Sequence, residues 1–183
     1  ASNIFSAIAP VAGCMMTWIF DSCNPSQSVP VLEIHGTNDN VTWWEGDPND
    51  LGGWGPYIGA EEAIDFWADI NVCTSSEDIP LTNTNTIHHR YFDCSDNTEV
   101  WLYEVVGGGH DWPGYSSQEI WSFFSQYTFN LGDINNDGAI NIQDIIITIN
   151  LVLNNEYDSL VDLNSDETID ILDIVQLVNI ILN

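Results

Sequence analysis

Basic residues are almost absent from this chain. Its 183 residues contain a single arginine, Arg90, and no lysine, against 28 aspartates and glutamates, which gives a formal net charge of −27 at pH 7. A surface of this sign repels nucleic acids and anionic membranes, so the composition argues against binding to either. It suits divalent cations or a saline medium, and most of the acids are interpreted as a solvated surface.

Long apolar runs and a visible export signal are missing as well. No stretch of about twenty apolar residues occurs, so no membrane-spanning helix is predicted. The chain opens with "ASNIFSAIAPVAG", an apolar run typical of the interior of a sheet. We therefore expect the chain to be the C-terminal part of a longer protein.

Cysteine is scarce, and its spacing excludes a zinc or CxxC redox motif. Pairing of near neighbours, Cys14 with Cys23 and Cys73 with Cys94, is the simplest of three possible connectivities. Buried free thiols are the alternative. Disulfides would indicate an oxidising compartment, so we predict a secreted, extracellular protein.

Residues 1–130 alternate between strand-like and helix-like segments. The strand-like segments are apolar or rich in β-branched and aromatic residues, and the helix-like ones repeat apolar residues at helical spacing. The polar stretch "TSSEDIPLTNTNT" is interpreted as an exposed loop. The alternation predicts a parallel α/β sheet with strands over 4–13, 29–36 and 98–106 and helices over 59–71 and 116–127.

Residues 131–183 consist of two copies of one unit, 29 residues apart when they are aligned on Asp133 and Asp162. Each copy places oxygen-bearing residues at the ligand spacing of a calcium-binding loop and continues into an apolar helix, Ile142–Leu153 or Ile171–Leu182. Gly138 occupies the sharp-turn position of the first loop and Glu167 that of the second, so we expect the second loop to be more strained. The predicted ligands of two Ca²⁺ sites are Asp133, Asn135, Asp137, Ala139 (carbonyl), Asn141 and Asp144, and Asp162, Asn164, Asp166, Thr168 (carbonyl), Asp170 and Asp173.

Chemistry-bearing residues follow two of the predicted strands. Asp39 comes three residues after Gly36, and His110 follows three consecutive glycines in "VVGGGHDWPG". An acid followed by a histidine, each just past a strand, matches the order of the last two members of a serine-hydrolase triad. Trp112 and Trp43 flank these residues and are candidates for lining the substrate pocket, with loop packing as the alternative.

The motifs "FSAIAPVAG", "VPVLEIHGTND" and "GGGHDWPG", with Cys73 and Cys94, resemble the secreted esterases related to polyhydroxybutyrate depolymerase and feruloyl esterase (carbohydrate esterase family 1-like). The resemblance implies an α/β-hydrolase fold, with Asp39 and His110 completing a serine triad, and it supports a Cys73–Cys94 bridge. No GxSxG motif occurs in the 183 residues, so the nucleophile is expected upstream and this chain alone is expected to be inactive.

The duplicated loop and helix, with Asp at the last loop position and no entering helix, resembles a type I dockerin. That resemblance implies a small all-α domain that is organised by calcium and binds a cohesin-type partner. Residues 1–130 are thus interpreted as the C-terminal part of an α/β-hydrolase esterase and 131–183 as a dockerin-like domain. The expected substrates are feruloyl or acetyl esters of plant polysaccharides, or a polyester. The alternative is a non-catalytic, calcium-dependent docking or adhesion protein on a degenerate hydrolase scaffold.

Two further histidines, His88 and His89, lie beside Arg90 in a polar stretch and are interpreted as surface residues. His35, before a turn glycine, is interpreted as structural.

Overall fold

The computed structural model describes residues 5–127, 131–135, 137–164 and 166–182. The chain forms two compact units, Ala1–Tyr127 and Thr128–Asn183. The predicted domain boundary between residues 130 and 131, and the first four residues of the predicted esterase region, lie outside the described residues.

The first unit is a mixed α/β structure. Its elements are β1 (Met15–Met16), α1 (Thr17–Phe20), β2 (Val31–Gly36), β3 (Gly46–Asp47), β4 (Tyr57–Ile58), α2 (Ala60–Ile70), β5 (Ser75–Pro80), β6 (Thr86–Phe92), a short 3-10 helix (Ser95–Asn97), β7 (Val100–Val105) and α3 (Ser116–Phe124).

The main sheet has the strand order β2-β7-β6-β5, and a smaller antiparallel sheet has the order β1-β4-β3. β2 and β7 are parallel, with Ile34 opposite Tyr103, as predicted. The prediction of a parallel sheet is wrong for β5 and β6, which pair antiparallel with each other, as β6 does with β7. β5 falls in the stretch predicted to be a loop, because an edge strand exposed on both faces shows no apolar periodicity.

The predicted first strand is present only as an extended segment beside β2. It makes two isolated parallel bridges, between Ile8 and Val31 and between Val11 and Ile34. Pro10 lies between them and has no N–H to donate, so a regular ladder cannot continue through it. The predicted start of this strand, Ile4, lies outside the described residues.

The alternation of side chains along β2 and β7 divides the buried core between the two faces of the sheet. On one face Val31 and Leu102 pack with Ile64 of α2, and on the other Ile34 and Tyr103 pack near Phe123 of α3. A helix therefore covers each face of the sheet. The loops that follow β2 and β7 begin at the C-terminal ends of these strands.

Cysteine pairing was predicted correctly for one bridge and wrongly for the other. Cys73 and Cys94 form a disulfide, whereas Cys14 and Cys23 are free thiols. Cys14 follows Ala12, whose N–H bonds to the Ile34 carbonyl near the C-terminal end of β2. Cys23 lines a cavity of about 380 Å³ together with Val29, which precedes β2. The two thiols thus belong to opposite ends of that strand, although they are near in sequence.

The second unit contains the helices α4 (Ile142–Asn154) and α5 (Ile171–Leu182), within one residue of the predicted ranges. Asn141 caps α4 in a reciprocal capping box with Asp144. The helices contact each other, but much of their apolar surface is exposed, notably at Ile142, Ile146, Leu153, Ile171, Leu172, Val175 and Leu182. Within the described residues, the helices are too short or too polar to cross a membrane.

Candidate functional site

Asp39 lies in a tight turn directly after β2. One of its oxygens, Oδ1, accepts hydrogen bonds from the backbone N–H groups of Val41 (2.8 Å) and Thr42 (3.0 Å). Its side chain is fully buried. Burial acts to raise the pKa of the Asp39 carboxyl, but the hydrogen bonds from Val41, His110 and Thr42 outweigh it and lower the pKa. The turn therefore holds an ionised carboxylate in one orientation.

His110 lies in the loop after β7, and the glycines before it allow that loop to approach the Asp39 loop. A Cβ on Gly36 would lie 2.3 Å from the Gly108 carbonyl oxygen, so side chains are excluded at this crossing. Asn38 N–H donates to that same carbonyl at 2.8 Å, and Gly107, with φ of 73°, donates to the Thr37 hydroxyl at 2.8 Å. Gly36 is thus required by the close approach of the two loops, Gly107 by its positive φ, and Gly108 by the Val105 side chain, which would lie 2.6 Å from a Cβ there.

The structure brings the two predicted residues together. His110 Nδ1 lies 2.9 Å from Asp39 Oδ2, and the histidine side chain is 41% exposed while that of the aspartate is 0% exposed. A buried carboxylate bonded to Nδ1 orients the imidazole and leaves Nε2 to accept a proton. This geometry suits a general base at the surface of the site.

Thr42 is a member of this site that the sequence analysis missed. Its hydroxyl lies 2.9 Å from the Ala12 carbonyl, 3.1 Å from Asp39 Oδ2 and 3.3 Å from His110 Nδ1. It therefore links the segment beside β2 to both functional residues. The sequence signal that could have identified Thr42 is its position three residues after Asp39 in a turn, where a hydroxyl can bond to the aspartate side chain.

The predicted pocket tryptophans lie close in sequence to the site, but the structure does not give them a binding role. Trp112 is 60% exposed, and the backbone N–H of Trp43 donates to the Tyr57 hydroxyl at 2.9 Å. A cavity of about 230 Å³ beside the His110 loop is lined by other residues: Ile34, Gly36, Val105, Gly108, Gly109, Asp111 and Pro113. Substrate binding by Trp112 and Trp43 stays a prediction.

The first predicted calcium loop folds around its carboxylates. Asp133 accepts from Asp137 N–H (3.1 Å) and Gly138 N–H (2.9 Å), and Asp144 accepts from Ile134 N–H at 2.9 Å. The second loop repeats these bonds: Asp162 accepts from the N–H groups of Asp166 and Glu167, and Asp173 accepts from Leu163 N–H. Gly138 and Glu167 both have positive φ, 84° and 64°, which strains the glutamate but not the glycine.

The donor set of these loops fits a hard cation. Each loop buries two carboxylates, at Asp133 and Asp144 and at Asp162 and Asp173, and the chain's only arginine bonds to Glu77 and Glu99 instead. Buried carboxylates without a basic partner are costly unless a cation balances them. Among the described residues, no group of three or more His, Cys, Asp or Glu side chains is arranged to hold a metal ion. Calcium binding stays a prediction.

The remaining histidines lie within the sheet. His35, interpreted from the sequence as structural, is buried and bonds to Glu33 and the Thr42 carbonyl. The prediction of a surface position is wrong for His88, which is 7% exposed, because β6 is a central strand and alternate residues face the core. His89, half-buried, lies between the carboxylates of Asp78 (2.7 Å) and Glu104 (2.9 Å).

Comparison with known proteins supports an esterase relationship. The chain is 29% identical over 132 residues, 69% of its length, to feruloyl esterase B of Piromyces equi. It is 26% identical over 132 residues to the bifunctional acetylxylan esterase/xylanase XynS20E of Neocallimastix patriciarum. The chain spans 24% and 18% of the lengths of these two relatives. No protein-family model matches the chain.

Proposed function

We propose that residues 5–127 are part of a serine carboxylic-ester hydrolase in which Asp39 and His110 act as the acid and base. The observation that carries this proposal is the 2.9 Å contact between His110 Nδ1 and the buried Asp39 Oδ2, at the ends of two adjacent parallel strands. Open α/β sheets place their chemistry at such strand ends. An α/β-hydrolase fold agrees with a helix on each face of the sheet.

In the proposed reaction His110 Nε2 takes the proton of a serine hydroxyl as that oxygen attacks the ester carbonyl. Asp39, held in its turn by Val41 and Thr42, keeps the Nδ1–H oriented and stabilises the imidazolium that forms. The imidazolium then returns the proton to the leaving alkoxide, and water hydrolyses the acyl-enzyme by the reverse roles. The nucleophile belongs to a part of the protein outside these 183 residues, which contain no GxSxG.

The proposed substrates are feruloyl or acetyl esters of plant polysaccharides, in an extracellular setting. The names of the two relatives, a feruloyl esterase and an acetylxylan esterase, favour this class over a polyester. The Cys73–Cys94 disulfide agrees with an oxidising compartment. Trp112 and Trp43 remain candidates for stacking against sugar or aromatic acyl groups.

The test uses a full-length protein that includes the upstream serine, assayed with methyl ferulate and acetylated xylan and labelled with a fluorophosphonate. His110→Ala should abolish turnover and labelling, whereas His89→Gln, a histidine with two carboxylate partners elsewhere in the sheet, should retain both. The 183-residue chain alone should not be labelled. An unlabelled, inactive full-length protein would favour the non-catalytic docking or adhesion alternative.

We further propose that residues 131–182 form a dockerin-like module that binds two Ca²⁺ ions and docks on a cohesin-type partner. The support is the repeated loop geometry with its buried, unbalanced carboxylates and the apolar residues exposed on α4 and α5. When bound, calcium would supply the positive charge that balances the loop carboxylates. Asp133 and Asp144 would hold the ion in the first loop, and Asp162 and Asp173 would hold it in the second.

Isothermal titration of the chain with Ca²⁺ tests the module. The unmodified chain should bind two ions, and Asp144→Ala or Asp173→Ala should bind one. Asp158→Asn is the matched control. Asp158 belongs to neither ligand set, and it lies between the two loops in sequence, where it accepts a hydrogen bond from the Leu160 N–H. A stoichiometry of zero in the unmodified chain would rule out the calcium sites without affecting the hydrolase proposal.

A further inference from the structure

A second acid–imidazole pair lies directly behind Asp39. Glu33 and His35, both on β2, are 6% and 2% exposed. His35 Nδ1 lies 3.0 Å from Glu33 Oε1. On the other side of the ring, His35 Nε2 lies 2.8 Å from the Thr42 carbonyl oxygen and 3.5 Å from Asp39 Oδ2. One imidazole therefore connects a buried carboxylate to the turn that presents Asp39.

The hydrogen bonds determine where the protons of His35 lie. A carbonyl oxygen only accepts, so Nε2 must carry a hydrogen and donate it to Thr42. An ionised Glu33 also only accepts, so Nδ1 must carry a hydrogen as well. His35 is then an imidazolium, and its charge cancels that of Glu33.

Burial raises the pKa of the Glu33 carboxyl, and the hydrogen bond and charge of His35 act against this rise. The ion pair is therefore inferred from His35, whose two ring nitrogens both face oxygen atoms. Burial lowers the pKa of His35, but the hydrogen bonds to Glu33 and Thr42 and the charges of Glu33 and Asp39 outweigh burial and raise it. Two other ionisable groups face the pair. The Cys14 thiol has a pKa raised by burial and, to a smaller extent, by the charge of Glu33. Glu104 lies opposite His35 in the ladder and bonds to His89. No arginine or lysine is available to Glu33, because Arg90 bonds to Glu77 and Glu99.

We propose that Glu33 and His35 are positioning residues for the Asp39–His110 pair. The imidazolium of His35 cancels the buried charge of Glu33, so Asp39 carries the net negative charge behind His110. The Nε2–H of His35 donates to the Thr42 carbonyl and so stabilises the turn after β2. In that turn the backbone N–H groups of Val41 and Thr42 orient the Asp39 carboxylate. This proposal rests on the proposed hydrolase function, although its structural content is tested without any substrate.

The experiment is NMR of the 183-residue chain labelled with ¹⁵N in its four histidines. At neutral pH the unmodified chain should show both nitrogens of His35 protonated. In Glu33→Gln the Nδ1 signal of His35 should move to the unprotonated region while Nε2 stays protonated. Asp78→Asn, which removes the carboxylate from Nδ1 of His89 on β6, two strands away on the same face of the sheet, is the matched control and should alter the His89 signals alone.

The positioning role is read from the Nδ1–H proton signal of His110, which reports its bond to Asp39. This signal should broaden or shift in His35→Leu and be restored in His35→Gln, whose amide keeps a donor for the Thr42 carbonyl. An unprotonated Nδ1 in the unmodified chain would overturn the proposal, as would an unchanged His110 signal in His35→Leu. If His35→Leu unfolds, the unmodified, Glu33→Gln and His35→Gln spectra still decide the question. Failure of ester hydrolysis in the full-length protein would leave these signals unaffected, so the two proposals fail separately.

Discussion

His88 should make the stability of the first unit fall in mild acid. Its ring is stacked on that of Tyr103, with centroids 4.5 Å apart and planes 10° apart, and lies 4.6 Å from the Trp101 ring. Its Nε2 is buried and has no hydrogen-bond partner among the described residues. Desolvation, together with the nearby charge of Arg90, lowers the pKa of His88 from 6.5 to about 4. The folded state therefore holds this imidazole neutral at a pH where an unfolded chain protonates it.

The magnitude follows from linkage. Between the unfolded pKa of 6.5 and the folded pKa of about 4, the unfolded chain binds more protons, so the free energy of unfolding falls as the pH decreases. At about 1.4 kcal/mol per pKa unit, the difference between 6.5 and about 4 gives a full effect of at most about 3.5 kcal/mol, and most of it is reached near pH 4.5. His35 and His89 act in the opposite direction, because their raised pKa values give stability that is lost as the pH rises.

The assay is urea unfolding of the unmodified chain and of His88→Phe, followed by circular dichroism near pH 7.5 and near pH 4.5. Phenylalanine keeps a ring on Tyr103 and cannot titrate, and every other group is shared, so the difference between the two chains isolates His88. On going to the lower pH, the free energy of unfolding of His88→Phe should rise by about 2 to 3 kcal/mol relative to that of the unmodified chain. His89→Gln, which removes an imidazole with a raised pKa, should lose relative stability over the same step.

The reasoning would be refuted if His88→Phe and the unmodified chain differed in free energy of unfolding by the same amount at both pH values. It would mean that His88 takes up a proton in the folded state as readily as in the unfolded one, and that burial beside two aromatic rings does not exclude its charge.

Three further predictions concern backbone and covalent constraints. Replacing Cys73 and Cys94 by serine should lower the free energy of unfolding by about 3 kcal/mol, since the bridge spans 21 residues; urea unfolding with and without reductant measures it. Gly36→Ala should lower the free energy of unfolding by about 2 kcal/mol, because the added Cβ would lie 2.3 Å from a backbone oxygen. Gly114→Ala, whose Cβ would meet no atom within 4 Å, should lower it far less; thermal unfolding compares the two variants. Glu167→Gly should stabilise the second loop by about 1 kcal/mol by relieving a φ of 64°, and Glu167→Ala, which removes the charge but keeps the strain, should not; calcium affinity and thermal unfolding are the readouts.

Local sequence patterns were sufficient to locate the elements whose side chains repeat with a clear period and the loops that carry glycine. Apolar runs located β2 and β7, helical spacing located α2, α4 and α5 within a few residues, and "GGGH" after a strand marked His110. These signals are local, because propensity, periodicity and turn chemistry act over a few neighbouring residues. They also placed Asp39 and His110 at matching strand ends.

Features that depend on partners far away in sequence became visible only in the folded chain. β5 is a strand because β6 pairs with it, and Cys14 stays free because the chain carries Cys23 to the other end of β2. The burial of His88 and the Glu33–His35–Thr42 connection behind Asp39 likewise arise where elements meet. An unpaired polar strand and a buried ionisable side chain have no periodic signature of their own, because their stability comes from contacts that form only when the sheet assembles.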